Sequence, residues 1–168
     1  QRLVIYLNDS PKISNNTITS KQVVDYLLSI INYLYSMKRF RRIVIHSVNN
    51  FIRDVLASIL ESNGYNVIVT ENLEKDFQKW LNTKEGIIIS SALSEGVDLK
   101  YDIARVQILV KMPIPDTRKD PHTRWMKSND IEIYNYYIAQ KMVQIAGRIC
   151  RAHDDVGVTI VLDRRGIT

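Results

Sequence analysis

The segment Gln144-Ile145-Ala146-Gly147-Arg148-Ile149-Cys150-Arg151 carries the most pointed chemistry in this 168-residue chain. On a helix, spacings of four and three residues put Gln144, Arg148 and Arg151 on one side, with Gly147 beside them. Two planar, permanently charged guanidinium groups one turn apart can grip the oxygens of a triphosphate as charge develops during phosphoryl transfer. Gln144 can add a neutral hydrogen bond or hold an arginine in position, and the bare Gly147 lets another backbone approach closely. Taken singly, each arginine is better explained by a surface ion pair with Asp154, Asp155 or Glu132. Their shared spacing, downstream of a carboxylate-bearing loop, makes them a functional constellation.

That loop is Ser90-Ser91-Ala92-Leu93-Ser94-Glu95-Gly96-Val97-Asp98. Gly96 permits a tight turn, while Glu95 and Asp98 can orient a partner domain, a nucleotide-associated water or a nearby arginine. An ordinary polar loop is the competing account. Asp155 suits either an ion pair with Arg151 or a turn ahead of Gly157. Asp163, Arg164 and Arg165 suit either a network near the same site or a solvated cluster. Lys38, Arg39, Arg41 and Arg42 form the densest basic run, fit for a phosphate backbone or for the solvated end of a helix. His46, His122 and His153 have no metal-ligand spacing and read as structural or exposed. Trp80 is expected to pack its helix. Trp125, in a polar connection, either packs an interface or stacks a base. Tyr134, Tyr136 and Tyr137 are expected to anchor the helix they open.

These residues must be held by a scaffold, and the hydrophobic pattern specifies one. Short apolar runs at Leu3–Leu7, Ile43–Ile45, Tyr65–Val69, Gly86–Ile89, Val106–Val110 and Val158–Leu162 read as strands. Between them, apolar residues recur at helical spacing over Lys21–Met37, Asn50–Ser62, Leu73–Leu81 and Glu132–Ile149, with Ser20 capping the first helix and Gly64 stopping the second. Alternating strands and helices predict an α/β fold, a three-layer αβα sandwich around a mostly parallel central sheet. Ligands of such sheets gather at the carboxyl ends of the strands, here the segments after Ile89 and Val110 and before Val158.

Composition bounds the function. The length fits one domain, and a formal charge of +5 favours a polyanionic partner without identifying it. No membrane-length apolar run or secretion signal occurs, so the expected location is cytoplasmic with no membrane partner. One cysteine, Cys150, excludes an internal disulfide and an iron–sulfur cluster or zinc site held by thiolates alone. The sequence contains no G-x-x-x-x-G-K-[ST] loop for nucleotide phosphates and no strand ending in paired acidic residues for magnesium. An arginine pair without a nucleotide cradle implies a contribution made across an interface.

The segments SEGVD (Ser94–Asp98), KMPIPDTRKDP (Lys111–Pro121) and YIAQKMVQIAGRICR (Tyr137–Arg151), with Asp155-Val-Gly157 and Val161–Arg165, resemble the second RecA-like domain of Rad3/XPD/DinG-like superfamily 2 DNA helicases. The likeness spans nearly the whole chain and is most specific in GR-x-x-R with its downstream D-x-G. It implies a RecA-like fold and an ATPase cleft shared with a first RecA-like domain. Gln144, Arg148 and Arg151 match the sixth helicase motif, whose arginines face the phosphates. Glu95, Gly96 and Asp98 match the fifth, with Gly147 also at the nucleotide cleft. Ser47, near the fourth motif, together with Ser94 and Trp125, is assigned to single-stranded DNA. Members typically translocate 5′ to 3′, and many hold an iron–sulfur cluster in a first half that this sequence lacks. ATP and Mg²⁺ are then expected only when a nucleotide-binding domain completes the site. The implied function is the motor half of an ATP-dependent helicase or translocase; the alternative is a non-catalytic nucleic-acid-binding or regulatory module derived from one.

Overall fold

The structure, a computed structural model, describes residues 2–7, 9–91, 99, 103–149 and 155–166. Ser94, Glu95, Gly96, Asp98, Cys150, Arg151, His153 and Asp154 therefore lie outside the described residues. Six strands appear: β1 (Arg2–Tyr6), β2 (Arg42–His46), β3 (Val67–Val69), β4 (Gly86–Ser90), β5 (Val106–Leu109) and β6 (Gly157–Val161). They form one sheet in the order β1-β6-β5-β2-β4-β3, and every neighbouring pair is parallel. Five helices accompany them: α1 (Lys21–Ser36), α2 (Asn50–Ser62), α3 (Leu73–Leu81), α4 (Pro121–Asn129) and α5 (Ile131–Ala146).

Period-two alternation in the strands separates two cores. Ile43, Ile45, Ile87, Ile89 and Ile108 point to the face covered by α1 and α2, where Val23, Leu27, Ile31, Leu56 and Leu60 are buried. Val44 and Ile88 point to the opposite face and meet Trp80 of α3, while Leu109 and Val161 meet Met142 and Ile145 of α5. Helices on both faces of a parallel sheet make the three-layer sandwich expected from the pattern, of the RecA-like kind that the resemblance implies.

The helix ends follow local chemistry. Ser20, Asn49 and Asn72 each accept a backbone N–H of the first turn of α1, α2 and α3. Gly64, at φ +85°, closes α2 in the left-handed region that glycine adopts without strain. The same closure directs the Tyr65 N–H to the Leu60 carbonyl, so β3 begins at Val67 rather than at the expected Tyr65. Trp80 is fully buried, and its indole donates to the Gly86 carbonyl at 3.1 Å.

Half of the basic run proves structural. Arg42 lies over the Trp80 ring at 5.2 Å and donates to the Leu81 and Thr83 carbonyls, satisfying the carboxyl end of α3. Arg41 pairs with Glu85 at 2.7 Å.

Two expectations require correction. Trp125 does not sit in an irregular connection but on α4, whose start carries Asp120 as cap and Pro121 in the first turn. The solvated reading of the last cluster also fails for Asp163 and Arg165, whereas Arg164 is exposed. Asp163 is buried, accepts the Met112 N–H at 3.1 Å and binds Arg165 through both carboxylate oxygens, while Arg165 reaches the Ile13 carbonyl at 2.7 Å. This clamp ties the segment after β6 to those following β1 and β5.

Gly157 opens β6 against the segment after α5. A Cβ built there would stand 2.6 Å from Ile149 Cγ2 and 2.9 Å from the Ile149 carbonyl oxygen, and Ile149 is itself fully buried. Gly157→Ala should destabilise the fold by about 1–3 kcal/mol through overpacking, read as a lower urea midpoint at unchanged slope. An unchanged midpoint would reject this close approach.

Candidate functional site

Strand order dictates where a crevice can form. The connection leaving β2 runs through α2 toward β3, on the face shared with α1, whereas the connection leaving β5 runs through α5 to β6 on the other face. The adjacent ends of β2 and β5 therefore diverge, the arrangement that opens a crevice at the carboxyl edge of a parallel sheet. A cavity of about 310 Å³ lies there, lined by His46, Ser91 and Leu109 at strand ends and by Lys141 and Gln144 of α5.

Gln107 in β5 organises this end of the molecule. Its amide nitrogen donates to the Ile145 carbonyl at 2.9 Å and to Thr159 Oγ1 at 2.7 Å, which leaves its oxygen to accept from His46 Nε2 at 2.9 Å. Gln107 and Thr159 are fully buried, and His46 nearly so. One amide thus joins β2, β5 and β6 to the last turn of α5. It also fixes His46 as the Nε2–H tautomer. Burial pushes the His46 imidazole down to about 4, against the help of Gln107, and the nearby positive charge of Arg148 lowers it further.

The arginine segment differs from its expected geometry. The helix expected over Glu132–Ile149 runs from Ile131 to Ala146, with Asp130 capping its start and Gly147 its end. Arg148 consequently stands in a turn, not on the helical face that bears Gln144. Two observations explain the early stop. Gln107 binds the Ile145 carbonyl, and Ile149 must turn inward to join the cluster around Val44, Ile88 and Trp80. The turn is pinned from the other side by the Leu99 N–H, which donates to the Arg148 carbonyl at 3.2 Å. Leu99 directly follows the SEGVD segment, so the backbone links the two sequence motifs although Glu95, Gly96, Asp98 and Arg151 lie outside the described residues. Arg148 is half-buried and Gln144 exposed at the cavity.

Other predicted residues scatter. Ser47 is fully buried and donates its hydroxyl to the Asn49 carbonyl and its N–H to the Ser90 carbonyl, so its polar atoms are engaged within the fold. Trp125 is 57% exposed on α4. Asp155 is buried and lies 3.6 Å from Arg105, which accounts for its charge without a turn-only role.

The sequence reading missed a second, polar concavity of about 640 Å³ on the same carboxyl edge, lined by Asn15, Asn16, Asn49, Lys111, Arg118 and Lys119 among others. Burial and the charge of Arg165 hold the Lys111 ammonium below the ordinary lysine range. Arg118 hydrogen-bonds Asp116 through its Nε at 2.9 Å. Val48, at φ 70°, separates the two cavities and lines both; among the described residues it alone of the non-glycines takes a positive φ. For a β-branched residue this is genuine strain, of the sort that accumulates at functional sites. The polar loop after β1 and the cations of Lys111–Lys119 were visible in sequence, but their convergence depends on strand order. Among the described residues no group of three or more His, Cys, Asp or Glu can hold a metal, and no helix is long and apolar enough to cross a membrane.

The sequence model of the helicase C-terminal domain matches residues 33–168. An ATP-dependent DNA helicase DinG of Photobacterium profundum is 26% identical over 130 residues, 69% of this chain but 19% of that protein. The structure of an XPD helicase superposes with a TM-score of 0.69 at 16% identity, covering 99% of this chain and 32% of the other. Xpd4 of S. tokodaii gives 0.61 at 14%, covering 98% and 35%. The chain spans about a fifth of the length of the DinG relative and about a third of either structure.

The depressed His46 pKa makes stability pH-dependent. Between about 4 and the ordinary histidine value the unfolded chain binds a proton that the folded chain refuses, so stability falls as pH drops through that window. The slope from this one group approaches about 1.4 kcal/mol per pH unit. Urea unfolding at stepped pH should show this slope in the native chain and lose it in His46→Gln; equal slopes in both would place His46 in a solvated setting instead.

Proposed function

We propose, for a chain that belongs to the helicase C-terminal domain family and is XPD/DinG-like within superfamily 2, that it is the motor half of an ATP-dependent DNA helicase or translocase acting in the cytoplasm. The observation that carries this reading is the Arg148 turn. It is fixed by Gln107 through Ile145 and by Leu99, beside a cavity at the carboxyl ends of β2 and β5. A nucleotide-binding RecA-like domain, in the same parent chain or in a partner, supplies the phosphate loop and the acidic magnesium site that this sequence lacks. ATP and Mg²⁺ bind only in the completed cleft, where the nucleotide supplies the γ-phosphoryl group and the metal neutralises its developing charge.

Within this chain, Arg148 and Arg151 act as arginine fingers. Their guanidinium groups are donors placed for charge that appears in the transition state. Gln144, exposed at the cavity, hydrogen-bonds the nucleotide or steadies an arginine. Glu95, Gly96, Asp98 and Gly147 are assigned to the same nucleotide cleft. The Leu99–Arg148 backbone bond supports coupling between that segment and the arginine turn. A fixed turn suits this task better than a free helix end, because a misplacement of about 1 Å can cost on the order of 10² in rate.

Single-stranded DNA is assigned to the neighbouring polar concavity. Asn15, Asn16, Asn49, Lys111, Arg118 and Lys119 offer amide and cationic donors to a phosphate backbone, and Val48 sets the wall shared with the nucleotide cavity. Ser94 is assigned to the same strand. The exposed indole of Trp125 is available to stack a base.

Arg148→Ala and Arg151→Ala in the parent protein, or in this chain joined to its nucleotide-binding partner, should each lower DNA-stimulated ATP turnover by about 10³-fold, with nucleotide affinity changed far less. The isolated chain should show no turnover. Unchanged turnover in both variants, with DNA binding retained, would replace this reading with that of a non-catalytic nucleic-acid-binding module.

A further inference from the structure

At the pole opposite the cleft, where the strands begin, a concavity of about 140 Å³ is lined by Lys38, Arg39, Arg41, Arg42, Lys84 and Arg105. Every lining residue is a cation. They come from three separate segments: the turn between α1 and β2, the loop before β4 and the residue before β5. Three of them are locked in place. Arg41 pairs with Glu85, Arg42 lies on Trp80 and serves the end of α3, and Arg105 donates to the Val156 carbonyl at 3.1 Å beside Asp155. Lys38, Arg39 and Lys84 are exposed and have no ion pair among the described residues. Arg42 Nε is buried with no hydrogen-bond partner. Among the described residues, six cations thus line one concavity with the carboxylates of Glu85 and Asp155 paired to two of them, an excess of positive charge that favours an anion.

We propose that this concavity binds a backbone phosphate of single-stranded nucleic acid, at a second locus separate from the motor cleft. Donors arriving from three sides can reach the two non-bridging oxygens of one phosphodiester and those of the next phosphate along a strand, where an isolated carboxylate would satisfy only one or two of them. The anchored arginines form a rigid floor. The flexible ammonium groups and Arg39 stand at the rim, where they can follow the next phosphates of a strand. A formal charge of +5 over the chain favours a polyanion over an isolated phosphate ion. The site does not depend on the assignment of Arg148, and it holds whether or not the chain takes part in ATP hydrolysis.

The test follows backbone amides of the 15N-labelled chain, near residues 38–42 and 84–86, during titration with an oligothymidylate, with inorganic phosphate and with acetate. The oligonucleotide should shift these amides at concentrations at least tenfold below inorganic phosphate, and acetate should leave them unmoved. Lys38→Gln, Arg39→Gln and Lys84→Gln combined should abolish these shifts while the rest of the spectrum keeps its native dispersion, since these exposed side chains hold no structural contact. The same variant should reduce the slope of log affinity against log salt by about 0.7 for each phosphate contact removed. No shift with either phosphate source, or shifts retained in the triple variant, would overturn the proposal. Response to inorganic phosphate without response to the oligonucleotide would overturn it too, by naming a free anion as the occupant.

Discussion

Gln107 places one uncharged amide where three strands and a helix end meet, and the carboxyl edge of the sheet takes its shape from that group. A side chain buried in a parallel sheet is normally aliphatic, because an unsatisfied polar atom there costs more than its hydrogen bonds return. Here each atom of the amide has a partner: the Ile145 carbonyl, the Thr159 hydroxyl and the His46 ring. A fully satisfied buried network specifies one arrangement, since a slip of any member leaves the others unpaired. The end of α5 is thereby held to the strands by direction as well as by packing. Arg148, three residues beyond Ile145, inherits that position.

The scaffold was legible in the sequence because its central strands are buried on both faces. Runs such as Ile43–Ile45 and Gly86–Ile89 have no polar interruption, and the helices between them carry clear apolar stripes, so all six strands lie within two residues of expectation. Errors fell where local chemistry competes with periodicity. The apolar period continues through Ile149, yet Gly147 and the Gln107 contact end the helix at Ala146. Helix α4 has a weak stripe, with Thr123 and Met126 buried, and its signature lay in Asp120-Pro121, a cap followed by a first-turn proline. Asp163 and Arg165 could be read either as a network or as a solvated cluster, because nothing in their spacing reveals that Met112 and Ile13 pass beside them.

The candidate site was legible by residue type more than by place. Gln144 lines the cavity at the strand ends and Arg148 stands in the turn beyond it, but nothing in the sequence marked His46, which lines the same cavity as Gln144. Its role follows from burial and from Gln107, two facts about strands β2 and β5 that are remote in sequence and adjacent in space. Ser47 is the converse: next to His46 in the chain and just past the end of β2, it is fully buried and bonded to Asn49 and Ser90. The polar concavity beyond Val48 draws on residues from the loop after β1, the start of α2 and the segment after β5. Only the order of the strands brings these together.

The pairing of β1 with β6 joins residues separated by nearly the whole chain, with Arg2 beside Gly157 and Tyr6 beside Val161. Parallel partners this remote close the longest loop in the molecule, the kind of contact that forms late in folding. During synthesis β1 must wait for β6 to emerge, and after β6 docks on β5 its outer edge stays open until β1 arrives. That interval exposes unpaired backbone beside Val158 and Ile160, the condition under which two chains can exchange a strand. For this fold, the order in which the ribosome delivers the strands makes the edge at β1 the last seam to close.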